Sequence, residues 1–165
     1  MSTVDEKPVP QPHHPIRESY RFSVPSSSAA PKVAREMVAK LLVLTGHAPA
    51  SETARLLVSE LVTNIHLHTR TRTIHLDVLL GPARVNVSVW DASPELRPAF
   101  RGGRDGDESG RGLCLVDALA SGWGVVWPTG SDGWKRVWFA LDEGRVVAGT
   151  TGRARASERP TEGAE

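Results

Sequence analysis

The chain has 165 residues, of which 39% are hydrophobic and 24% charged, the composition of one globular domain that can bury a core without disulfide or metal staples. A formal net charge of +1 excludes a strong electrostatic pull toward nucleic acid or an anionic membrane, and the single cysteine, Cys114, excludes an intrachain disulfide and fits a reducing cytoplasm. No apolar run approaches the ~20 residues that span a bilayer, and residues 1–15 are rich in Pro, His and charge where a secretory signal would be apolar, so a soluble cytoplasmic protein is expected.

Residues 1–17, with Pro8, Pro10, Pro12 and Pro15, have the composition of a disordered tail, as do residues 147–165; the folded unit is expected over 18–146. Alternation over residues 20–24 predicts a short strand, stopped by Pro25. A helix follows from about Ala30 or Pro31, with Val33, Met37, Leu41 and Leu44 as its apolar stripe and Gly46 as its stop. A second helix is predicted to start between Ala50 and Glu52, capped by Ser51. Its stripe is Ala54, Leu57, Val58, Leu61 and Ile65.

Two alternating segments come next, Ile74, Leu76, Val78 and Leu80, then Val85, Val87 and Val89. They are joined by Gly81-Pro82-Ala83-Arg84 and predict an antiparallel hairpin. Residues 92–111 hold Pro94, Pro98, Gly102, Gly103, Gly106 and Gly110, a long loop of the kind that carries function. A third helix over 112–119 and two strands, over 123–127 and 134–141, complete the pattern. The order β–α–α–β–β–loop–α–β–β predicts an α+β two-layer sandwich with a mixed, mostly antiparallel sheet and the helices on one face.

Three places carry chemistry. Glu60, Asn64 and His68 recur at i, i+4 and i+8 and so share a helix face bordering the apolar stripe. The amide oxygen of Asn64 suits a hard cation such as Mg²⁺ on phosphates, and Glu60 suits a general base toward a hydroxyl or water. A solvated polar face explains the same spacing. Asp91 shares parity with Val85, Val87 and Val89 and therefore points inward, where a carboxylate needs a partner. An adenine amino group would supply one, and a turn over 92–94 capped by Asp91 is the alternative. Ser109-Gly110-Arg111-Gly112-Leu113 opens a helix, where glycines and the helix N-terminus favour an anion and Arg111 can reach a phosphate. An ordinary flexible loop has the same composition.

In that order, the three places resemble a known family. Ser59-Glu60-Leu61-Val62-Thr63-Asn64, with His68 following, resembles the N box of the RsbW-like anti-sigma-factor kinases, a branch of the Bergerat-type (GHKL) ATP-binding domains. Val89-Trp90-Asp91-Ala92-Ser93-Pro94 resembles their G1 box. Gly110-Arg111-Gly112-Leu113-Cys114-Leu115-Val116, followed by Trp123-Gly124-Val125, resembles their G2 region, and Gly133-Trp134-Lys135-Arg136-Val137-Trp138-Phe139 their last strand.

The resemblance implies a GHKL fold that binds ATP with Mg²⁺. Asn64 would hold the metal, Glu60 would be the catalytic base, Asp91 would take the adenine amino group, and Gly110 and Gly112 the phosphates. His68, Arg111 and Leu113 complete the implied cofactor contacts. It further implies an enzyme, a serine/threonine kinase that phosphorylates an anti-anti-sigma partner of the STAS fold, sequesters a sigma factor and often forms a homodimer. The chain departs from the pattern at Ala92-Ser93-Pro94, where the superfamily's DxGxG form has glycines, and at Ile65, His66 and Leu67 after the N-box asparagine. These departures keep a second function in view: a catalytically inactive nucleotide-binding or protein-binding module of the same fold.

The remaining residues have structural readings. His66 and His75 are expected at the surface, Trp123, Trp127, Trp134 and Trp138 in packing of the last strands, and Cys114 as a small buried residue of an apolar helix.

Overall fold

Alternation of inward and outward side chains builds the sheet, and the 3.6-residue stripe of the second helix covers it. The computed structural model of the protein describes residues 15–91, 111–126 and 133–144. Among these the elements are β1 (Glu18–Pro25), α1 (Ala30–Leu44), α2 (Ala48–His68), β2 (Thr73–Leu80), β3 (Arg84–Asp91), α3 (Arg111–Leu119), β4 (Gly122–Val126) and β5 (Lys135–Asp142). The order of elements is the expected one. The loop expected over 92–111 lies outside the described residues up to 110, as do Trp127, residues 1–14 and the C-terminal tail; residues 15–17, expected in the N-terminal tail, are described, and the Arg17 N–H donates to the Leu80 carbonyl at 2.7 Å.

The five strands form one sheet in the order β1-β2-β3-β5-β4. Every neighbouring pair is antiparallel, so the mixed sheet expected from sequence is a wholly antiparallel one here. The reason is an insertion. The crossover through α3 leaves β3 and β4 running in the same direction, but β5 lies between them and pairs with both.

The inner face presents Ile74, Leu76, Val78, Leu80, Val85, Val87, Val89 and Phe139, each at most 1% exposed, to Leu57, Val58, Leu61 and Ile65 of α2. The predicted stripe of α2 is therefore the buried one. α1 is different. Its buried residues are Ala30, Ala34, Val38, Ala39 and Leu42, whereas Val33, Met37 and Leu44 are 45%, 41% and 75% exposed. Of the stripe expected from bulk hydrophobicity, Leu41 alone packs against the core, partly buried, and the other three residues are exposed. Interaxial spacing depends on side-chain size at the contact, and the alanines let α1 lie close on α2, while Val33 and Met37 would hold it off.

The helix ends also differ in detail. Gly46, at φ 85°, terminates α1 as expected. α2 begins at Ala48, ahead of the predicted start, with His47 in the cap position and Pro49 in the first turn. Ser51 is inside that turn, its hydroxyl donating to the Ala48 carbonyl at 2.8 Å, rather than capping it. His47 Nδ1 lies 2.9 Å from Glu143 Oε2, tying the start of α2 to the end of β5. Cys114 corrects another expectation, because it is exposed. α3 directs Leu113 and Val116 into the core instead. No helix among the described residues is long and apolar enough to cross a membrane.

The outer face of the sheet carries a polar and aromatic ladder across four strands. Arg21 pairs with Asp77 at 2.6 Å, Trp90 Nε1 donates to the same carboxylate at 2.9 Å, and Arg136 lies over the Trp90 ring at 5.1 Å. The hydrogen bond and charge of Asp77 hold the Arg21 guanidinium above its ordinary pKa. Trp138 covers Gly124 so closely that a Cβ there would lie 2.9 Å from its ring nitrogen.

Candidate functional site

Chain connectivity brings Glu60, Asn64 and Asp91 to one end of the sandwich. β2 starts at Thr73, just after α2 ends at His68, and its first residues pair with the last of β3, His75 opposite Trp90. The C-terminal half of α2 and the tip of β3 therefore lie at the same end. Parity does the rest: Asp91 continues the inward series Val85, Val87, Val89 and is 0% exposed, on the face that α2 covers. Glu60 and Asn64 are half-buried, one position from the buried Leu61 and Ile65. Neither side chain forms a hydrogen bond or ion pair with another described residue. His68, on the last turn, is exposed.

The N-terminus of α3 faces the same way. α3 ends at Leu119, and Ser121 then bonds the Ala140 carbonyl at the opposite end of the sheet. Leu113 and Val116 are in the core, so the helix lies over the sheet with its C-terminal end at the end opposite Asp91. Leu113 is buried, and what it offers a ligand is its backbone N–H in that turn. Arg111 and Gly112 open the helix, and Gly110 lies outside the described residues.

The structure adds a residue that the sequence reading passed over. Lys135 is the cross-strand partner of Asp91, and its ammonium lies 3.2 Å from Asp91 Oδ2, with the lysine 5% exposed. The signal was present: Lys135 shares parity with Val137, Phe139 and Leu141, and an inward lysine needs a counterion. Two expected surface residues are also engaged. His66 Nδ1 lies 3.1 Å from Ser26 Oγ, and His75 packs edge-on against Trp134 at 5.1 Å. Trp123 donates to Asp117 at 2.9 Å, joining β4 to α3, in line with a packing role.

In kind, the donors fit a nucleotide. A buried carboxylate suits a base amino group, the Asn64 amide oxygen suits Mg²⁺, and the backbone N–H groups of a helix start suit phosphate. Among the described residues no group of three or more His, Cys, Asp or Glu converges to hold a metal ion, so a Mg²⁺ at Asn64 would take most of its ligands from phosphate and water. A recess at the far end, lined by Pro49, Thr53, Leu119, Ser121 and Glu143, contains none of these residues.

No protein-family model matches the chain, and no curated protein matches it. Among solved structures, the RsbU and RsbW domains of Rv1364c from Mycobacterium tuberculosis are similar, with a TM-score of 0.55 and 16% identity over 76% of this chain. The match spans 32% of that chain, so it concerns about a third of the larger protein. At this identity the likeness is one of fold: the chain shares the α+β sandwich architecture of that structure.

Proposed function

We propose that the chain is an ATP-binding regulator of the anti-sigma type, which phosphorylates a serine or threonine of a STAS-domain anti-anti-sigma partner and sequesters a sigma factor. One observation carries the reading. Within an RsbW-like fold, half-buried Glu60 and Asn64, uncommitted to other described side chains, share one face and one end with the buried carboxylate of Asp91. In this reading Asn64 holds Mg²⁺, Asp91 accepts from the base, and the first turn of α3 meets the phosphates. When bound, ATP supplies the phosphoryl group. Glu60 takes the proton from the partner hydroxyl, and positioning and electrostatics account for most of the catalysis.

The test is incubation of the purified chain with labelled ATP and STAS-domain proteins. Label on a partner serine or threonine is the expected result. Asn64→Ala should abolish ATP binding, whereas Glu60→Ala should keep ATP bound and lower transfer by about 10²–10⁴-fold. Normal transfer by Asn64→Ala at ordinary Mg²⁺ would refute the assignment. A second reading, a protein-binding module without transferase activity, is favoured by the ion pair that already engages Asp91. It predicts a stable STAS or sigma complex and no label.

A further inference from the structure

The Asp91–Lys135 pair is a feature of the base end of the site that the ATP reading alone does not require. Both side chains are on the inner face, at 1% and 6% exposure, and approach to 3.2 Å. A buried carboxylate and a buried ammonium are each costly alone and tolerable together. Each thus compensates the other before any ligand arrives. A base amino group is a neutral donor, and its hydrogen bond to a carboxylate is weaker than that of an ammonium. For Asp91 to accept from a base, the ammonium must share the carboxylate or withdraw, and any pairing that Lys135 loses in the interior counts against binding.

We propose that Lys135 is a built-in competitor for Asp91 and sets the affinity of the site for nucleotide. The proposal rests on the ATP reading of the site. It carries an unusual sign. Removing a cation near a polyanion site ordinarily weakens binding, whereas removing this one should strengthen binding of any ligand that uses Asp91. If Lys135 instead donated to a ring nitrogen of the base, its loss would weaken binding.

The experiment is calorimetric titration of the full chain and of Lys135→Met and Lys135→Gln with Mg-ATP and, separately, inorganic tripolyphosphate. Lys135→Gln retains an N–H donor for Asp91 and so protects the fold if Lys135→Met unfolds; circular dichroism checks both. The expected result is ATP binding tightened on the order of tenfold in Lys135→Met and less in Lys135→Gln. Tripolyphosphate, which lacks a base, should bind unchanged or more weakly. Folded variants that bind ATP like the parent or more weakly overturn the role of Lys135 and leave the nucleotide reading standing. If parent and variants are all folded and none binds ATP, both readings fall.

Discussion

On the helix-covered face of the sheet, Lys135 meets Asp91 at 3.2 Å with both side chains nearly fully buried; on the open face, Arg21 meets Asp77 at 2.6 Å with its own side chain 75% exposed. Ranked by distance, the open pair is the stronger. Ranked by what each charge loses when its partner is removed, the order reverses. Water and salt replace the partner of Arg21 with little loss, while neither reaches Lys135 freely. One shift of strand parity separates the two cases. A charge at an inward position constrains the molecule, and the same charge one residue away decorates it.

The largest expected effect tests the buried side. Asp91→Ala should cost about 3–5 kcal/mol in denaturant unfolding, because Lys135 is left buried without this counterion. A loss below about 1 kcal/mol would show that Lys135 reaches water, and the contrast between the faces would fail. Next comes a matched pair on α1, where Leu42 is 0% and Leu44 75% exposed. Leu42→Ala should cost about 2–5 kcal/mol, and Leu44→Ala should stay within about 0.5 kcal/mol. Equal losses would reinstate the stripe that the fold rejects. Gly124→Ala should cost about 1–3 kcal/mol, since the new methyl meets the Trp138 ring; an unaffected midpoint would mean that the ladder on the outer face yields readily.

Arg21→Ala is the smallest, with a melting temperature expected to match the parent. The raised pKa of Arg21 fixes the sign of its pH dependence. A basic group whose pKa rises on folding contributes fully below its ordinary pKa and loses that contribution as pH climbs through the raised one. Stability from this pair should therefore be flat across neutral pH, which thermal melts in buffers of stepped pH would check.

Much of the molecule was legible from local pattern. Ala54, Leu57, Val58, Leu61 and Ile65 form the buried side of α2 because a long helix with one apolar stripe has a single way to lie on a sheet. Asp91 is inward because parity leaves it no other direction. On α1 two stripes compete: hydrophobicity favours the bulkier one, whereas close packing selects the side where Ala30 and Ala34 alternate with Val38 and Leu42. Cys114 was misjudged for a related reason: an apolar helix has a back, and α3 turns its cysteine to it.

By itself the sequence determined the succession of elements, the inward phase of each long strand and the candidates Glu60, Asn64 and Asp91, because these depend on periods of two and 3.6 residues along one stretch of chain. Only the tertiary structure decided that β5 enters between β3 and β4, and hence that Lys135 lies against Asp91. Strand order is a property of which segments meet across the sheet. No local period records it, so the lysine that faces Asp91 came from a pairing between distant segments of the chain.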